Sequence, residues 1–299
     1  LGSNKPVVLV TGGSGQVGCP VCRRLVQLGM DVVSLSLEPE KIEGCTSLSG
    51  DITDKAVLER IFDAYPISKV VHLAAILVSA SRQDPDSATR VNVLGSLNLL
   101  ELCVDTGVDR FIYGSSFSVF GDQTESVGPI TESSPMQPID FYGETKRFVE
   151  HLGTVMADKH GFTFIAARLP IVVGPGVPSP TSSYRMDMFN LLNKAGEIFI
   201  PFAPDQVLPL AHSHDVTEAI AGLLTAEGLR FSVYHLPYEA WRVSDLCKEI
   251  ESIGDGLSVK CGDREFIGSP SMISWERIRQ EIAIEAPSLK RQLLKHKHS

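Results

Sequence analysis

The sequence predicts an α/β fold: a doubly wound, mostly parallel sheet with a smaller, discontinuous C-terminal lobe. Three observations carry that expectation. Short β-branched runs alternate with longer amphipathic stretches, a glycine-rich turn directly follows the first of those runs, and the alternation ends at residues 174–180, which are dense in Gly and Pro. With 299 residues, 43% of them hydrophobic and 21% charged, the chain is long enough for one full core and a lobe.

Residues 5–10 read as the first strand, 11–18 as the glycine turn, and the helix that follows carries Val21, Leu25 and Leu28 before Gly29 ends it. Asp31–Ser36 reads as the second strand. Further along, 70–75 is a buried strand, 91–104 a helix, Arg110–Ser116 a strand, 142–160 a long helix and 164–173 a strand. Asp215 reads as the N-cap of a helix through Leu224, and 231–236 as one more strand of the main sheet. The expected division is 4–175 with 209–240 for a nucleotide-binding domain, and 176–208 with 241–299 for a substrate-binding lobe.

Charge and cysteine usage narrow the function classes. Lys+Arg 27 against Asp+Glu 36 gives a net charge of −9, so the chain has no general attraction for nucleic acid or an anionic membrane surface. The longest apolar run, 73–78, is far shorter than the roughly 18 residues of a spanning helix, and no signal-like segment opens the sequence, so a cytoplasmic location is expected. Six cysteines in mostly apolar surroundings read as reduced thiols. Cys19/Cys22 and His212/His214 have redox or ligand spacing without a third partner nearby, so they read as packing and no metal is expected.

Glycines 12, 15 and 18 follow the first strand at three-residue spacing, where missing side chains allow a tight turn, close approach of a pyrophosphate, and close packing of helix on strand. This is the signature of a Rossmann-type dinucleotide site. Tyr142 and Lys146 stand one helical turn apart on one helix face, and a nearby cation favours a phenolate able to exchange a proton with a substrate hydroxyl. Ser115 and Ser116 end a strand, where the carboxyl ends of parallel strands gather a site.

Together the segments 11–18, 50–52, 72–75, Val91-Asn92 with Gly95 and Asn98, Ser115-Ser116 with Gly121, Tyr142/Lys146, and Arg168 with Gly174-Pro175 resemble the extended short-chain dehydrogenase/reductases, which include NAD-dependent epimerases and dehydratases. The resemblance implies Tyr142 as acid/base, Lys146 as the ribose anchor and depressor of the Tyr142 pKa, and Ser116 as polariser of the reacting oxygen. It places Gly12, Gly15, Gln16 and Val17 at the pyrophosphate, Ser36, Asp51 and Ile52 around the adenosine, and Leu73, Ala74, Ala75 and Pro170 along the nicotinamide half. Asn92 is implied as a helix-packing or water-positioning residue.

Ser36 stands where the family carries a ribose-binding acid, and no nearby Arg or Lys would neutralise a 2′-phosphate, so NAD is the preferred cofactor and NADP the alternative. Phe117-Ser118 replaces the Asp-Glu pair of the dehydratases, and Ile171 replaces an Asn that holds a sugar-nucleotide diphosphate in many epimerases. The remaining similarity is to short-chain L-threonine dehydrogenases and related enzymes of small hydroxy acids, although Ile171 and Ser183 depart from their pattern too. Ser79, Ser183, Tyr184 and Arg185 are the candidate substrate contacts, within a polar cluster that also includes Thr181 and Ser182. The expectation is an NAD(P)-dependent oxidoreductase of a small polar substrate, with a sugar or nucleotide-sugar epimerase as the alternative, working as a homodimer.

Overall fold

A computed structural model describes residues 5–122, 128–176, 182–270 and 272–298. The strands in chain order are β1 Val7–Thr11, β2 Asp31–Ser36, β3 Cys45–Ser49, β4 Ile67–His72, β5 Arg110–Ser116, β6 Thr163–Leu169, β7 Ile171–Val173, β8 Gly196–Phe202, β9 Val207–His212, β10 Val233–His235, β11 Glu239–Arg242 and β12 Leu257–Arg264. Seven of them form one parallel sheet in the order β10-β6-β5-β4-β1-β2-β3. The order reverses beside β1, and the glycine turn leaves the sheet there, at the crevice where open α/β sheets bind ligands.

Alternating side chains on each strand divide between two cores. Val8, Val10, Ile112 and Ile165 pack on helices Gly18–Gln27 and Ser213–Thr225, whereas Leu9, Phe111, Tyr113 and Phe164 face helices Lys55–Ala64, Ser96–Thr106 and Phe141–His160. A third core, with Val173, Phe189, Leu208, Leu246 and Leu293, lies under β7, β9 and β11 and the parallel pair β8-β12.

Several local expectations change. The run 164–173 is two strands, because Pro170 has no N–H to donate to a ladder; β6 stays in the main sheet and β7 joins β9. The helix expected at 91–104 begins with a π-helical stretch, Thr89–Gly95, and becomes α-helical at Ser96. His212, not Asp215, caps helix Ser213–Thr225: β9 keeps His212 extended, and its Nδ1 accepts from the His214 N–H at 3.1 Å, which leaves Asp215 in the first turn.

The far end of that helix abuts β5. The buried Arg110 guanidinium donates to the carbonyls of Leu223, Leu224 and Ala226 at 3.0, 2.9 and 2.7 Å, satisfying groups a helix C-terminus leaves open. Among the described residues no helix is long and apolar enough to cross a membrane.

Candidate active site

The carboxyl ends of β1 and β4 meet through a buried chain of hydrogen bonds. Ser96 Oγ donates to the Asn92 carbonyl at 2.6 Å, so it accepts from His72 Nε2 at 2.9 Å; His72 Nδ1 then accepts from Thr11 Oγ1 at 2.6 Å. Burial, helped by the Lys146 charge, pushes the His72 pKa down to about 3, so the ring is a fixed neutral strut at neutral pH. The Asn92 amide links two further segments: its oxygen accepts from Ile76 N at 2.8 Å, and its nitrogen donates to Ile76 O at 3.0 Å and to Thr145 Oγ1 at 3.2 Å. Thr145 lies one residue from Lys146, so this side chain ties the segment after β4 to the helix bearing Tyr142.

The structure brings Ser116, Tyr142 and Lys146 together. Asp140 caps helix Phe141–His160 by accepting from Gly143 N at 2.7 Å, which sets Tyr142 in the first turn. Ser116 ends β5 and caps the short helix Phe117–Phe120, accepting from Ser118 N at 3.1 Å while its own hydroxyl donates to Ser118 Oγ at 3.1 Å. It also hydrogen-bonds the Tyr142 phenol. Lys146, 3% exposed, donates to the Gly114 carbonyl at 2.8 Å, with its nitrogen 4.7 Å from the Tyr113 ring centroid and 5.5 Å from that of Tyr142.

The electrostatics differ from the expectation. Burial pushes the Tyr142 phenol up to about 12; the Ser116 hydrogen bond lowers it, Asp140 raises it, and the cation acting to lower it is Arg185. Lys146 is not among the groups acting on that phenol, and burial pulls its own ammonium down to about 7 against the opposing charge of Glu150. Glu150 is itself clamped: Arg168 donates to it from Nε at 2.9 Å and from Nη2 at 2.7 Å, both side chains being nearly inaccessible, and Ser115 Oγ donates to it as well.

The glycine turn has the shape of a phosphate cradle. Gly12 has φ +69°, and a Cβ there would lie 2.8 Å from Ala74 N; a Cβ at Gly18 would run into the Gly12 carbonyl. Gly15 N donates to that carbonyl at 2.9 Å, Val17 begins the helix, and Gln16 Nε2 is buried with no hydrogen-bond partner among the described residues. Ser36 Oγ accepts from Ser14 N at 3.0 Å, so the residue at the ribose-acid position braces the cradle. Asp51 accepts from Thr53 N at 2.8 Å within its own turn, and Ile52 is 5% exposed, packed under Gly95. Leu73, Ala74 and Ala75 are half-buried beside the cradle, and buried Pro170 marks the step between sheets.

The substrate candidates are less alike. Ser79 is exposed on the short helix Val78–Gln83, and Ser183 is half-buried at the start of helix Tyr184–Asn190. Tyr184 is a correction: it is 2% exposed in the third core, edge-on to Phe202, so it supports the cluster rather than lining an open surface. Arg185 reaches the Tyr142 environment, and its Nε is buried without a hydrogen-bond partner among the described residues. Thr181 lies outside the described residues. The sequence reading did not single out Ser118 or Tyr113; the two-residue spacing from Ser116 to Ser118 was the available signal for the first.

The comparisons agree with this architecture. The NAD dependent epimerase/dehydratase family matches residues 8–235. UDP-glucose 4-epimerases of Schizosaccharomyces pombe and Azospirillum brasilense are 34% identical over 166 residues and 33% identical over 175 residues, covering 50% and 56% of this chain. Those matches span about half of the relatives' own length, 47% and 50%. Among solved structures, a GalE-like L-threonine dehydrogenase from Cupriavidus necator has TM-score 0.88 at 22% identity, covering 98% of this chain and 99% of that one. A UDP-glucose 4-epimerase from Thermotoga maritima has TM-score 0.85 at 24% identity, covering 98% and 97%; likenesses at these identities show a shared fold. With its sheet order, its glycine cradle and a family match over most of its length, the chain belongs to the NAD dependent epimerase/dehydratase family.

Proposed function

We propose that this chain is an NAD-dependent oxidoreductase that interconverts a secondary alcohol and a ketone in a small polar substrate. The observation that carries the reading is the convergence of Ser116, Tyr142 and Lys146 at the carboxyl edge of the sheet, beside the glycine cradle. The cradle fits a dinucleotide: Gly12 and Gly18 leave the backbone bare, and the orphaned Gln16 amide can donate to a phosphate oxygen. Gly15 and Val17 complete the pyrophosphate site, Ser36, Asp51 and Ile52 border the adenosine half, and residues 73–75 with Pro170 border the nicotinamide half. NAD, when bound, supplies the hydride acceptor and donor.

The protein's own residues move the proton. Tyr142, held as the neutral phenol by burial, gives its proton to the substrate oxygen during reduction and, as the phenolate this leaves, takes it back during oxidation. Ser116 accepts from Ser118 N, and its proton, given to Ser118 Oγ in this structure, would turn to the substrate oxygen. Lys146 holds the ribose and keeps its place through Gly114 O, and Arg185 is the residue placed to meet a substrate carboxylate. Phe117, at the position after Ser116, is buried against His235 and Tyr238 and offers no acid for an elimination.

The test is a panel of hydroxy acids, amino acids and sugar derivatives assayed with NAD and NADP in parallel, read by absorbance of reduced nicotinamide. Turnover with NAD is expected, and Tyr142→Phe should lower kcat at least about 10²-fold while NAD affinity stays within about twofold. Unchanged turnover in that variant rejects the assignment. A second reading, sugar-nucleotide epimerisation, is favoured by the named epimerase relatives; it predicts stoichiometric NAD retained on purification and sugar inversion without net NADH.

The division 4–175 with 209–240 against 176–208 with 241–299 is supported by the separate third core, which also draws in Val173 and Leu210 across its borders. A second copy of the chain is the proposed cover for helix Phe141–His160, where Phe141, Phe148 and Val155 recur at seven-residue spacing, exposed by 41%, 55% and 49%. The groove beside them, about 600 Å³ and lined partly by Thr89, Val93 and His151, suits interdigitating side chains. The cytoplasm is the proposed location, in keeping with six free thiols.

A further inference from the structure

Two thiols far from the proposed catalytic residues in sequence touch each other inside the lobe. Cys247 lies on the buried face of helix Val243–Ile253 with Leu246 and Ile250, and Cys261 lies on β12. Their sulfur atoms are 3.0 Å apart. A disulfide bond is about 2.05 Å long, so roughly 1 Å of further approach joins them. β12 pairs with β8 in regular register through Cys261↔Ile200, and the register then slips before Arg264↔Phe202, so the strand is least constrained on the side where Cys261 sits.

The two sulfurs are not equivalent. Cys247 is 6% exposed and Cys261 half-buried, so a reagent from solution meets Cys261 first. Burial, reinforced by its Cys261 neighbour, pushes the Cys247 thiol up to about 12, which suits the partner that waits protonated rather than the one that senses.

We propose that Cys247 and Cys261 form a redox modification site of the lobe, converted to a disulfide by a hydroperoxide. The Cys261 sulfur, as thiolate, attacks the peroxide; the O–O bond breaks, the alkoxide leaves and takes a proton from solvent, and Cys261 becomes a sulfenic acid. The Cys247 sulfur then attacks the Cys261 sulfur; the S–O bond breaks, and hydroxide leaves with the Cys247 proton as water. Two thiols lose two electrons in total, and the hydroperoxide is reduced to an alcohol and water. In a reducing compartment the pair rests open and the bond is transient. The staple would join the helix to the sheet whose Phe202 ring backs Tyr184, next to Arg185. The site stands independently of the proposed activity.

The test treats the full chain with a few equivalents of hydrogen peroxide, alkylates the remaining thiols after unfolding, and maps all six cysteines by peptide mass spectrometry. The expected product is a Cys247–Cys261 cross-link that dithiothreitol reverses, with Cys103 still alkylated. In Cys247→Ser, Cys261 should stop at the sulfenic acid and be trapped by dimedone; in Cys261→Ser, Cys247 should remain a free thiol. Oxidation of wild-type Cys261 to a sulfinic acid without cross-linking, a disulfide between Cys22 and Cys45 in its place, or no reaction at either lobe thiol overturns the proposal. The wild-type map decides the matter even if a variant fails to fold.

Discussion

Replacing Lys146 with Met tests the buried ammonium directly. In the folded chain its pKa is about 7, against 10.5 for the ordinary side chain, with burial the first cause and Glu150 opposing. Between those values the unfolded chain holds a proton that the folded chain has released, so the stability of the wild type rises with pH, by about 1.4 kcal/mol per unit. From pH 7.5 to 9.5 that amounts to roughly 2.5 kcal/mol, or about 4 °C in Tm for a protein of this size. The variant lacks this contribution, while the buried Tyr113 and the cysteines titrate in both proteins and largely cancel in the difference. Thermal melts of both at half-unit pH steps should therefore show the Met variant ahead near pH 7.5 and the wild type gaining on it by about 4 °C by pH 9.5. A gap that stays level across that window would mean the ammonium is well solvated, and the account of Lys146 given above would fail.

Three more outcomes are expected. Glu150→Gln leaves the inaccessible Arg168 guanidinium without its counter-charge and should destabilise the fold by about 3 kcal/mol in urea unfolding; a loss below about 1 kcal/mol would show the pair to be solvated. Gly18→Ala drives a Cβ into the Gly12 carbonyl and should weaken NAD binding at least about tenfold by calorimetry, whereas unchanged affinity would remove the cradle from the cofactor site. Phe148→Glu puts a charge into the exposed apolar stripe and should turn a dimer into a monomer by light scattering; a dimer that survives it must use another face.

Burial explains which parts of this molecule were legible from sequence. β2 and β5 were read to the residue because strands covered on both faces are nearly continuous apolar runs. β3 was passed over: Cys45–Ser49 is a half-exposed edge strand of Thr, Ser and Leu, and its pattern resembles a loop. The helix Lys55–Ala64 was missed although Asp54, which accepts from Ala56 N and Val57 N, announced it. At the site, Tyr142 and Lys146 share a helix, so their spacing was visible. The direction in which burial moves both pKa values, and the reach of Arg185 from another lobe segment toward Tyr142, exist only once distant segments pack.

The π-helical stretch Thr89–Gly95 makes chain length a constraint at that point. A widened turn holds one more residue than an α-helical turn of the same rise, and here it faces the Asn92 amide toward Ile76 and Thr145. Deleting a single residue between 89 and 95 would let the turn relax to the commoner winding and swing everything upstream by about 100° around the axis. Substitution by residues of similar size is therefore far easier to accommodate in this segment than any gain or loss of a residue, and a library that varies its length should yield folded clones without turnover.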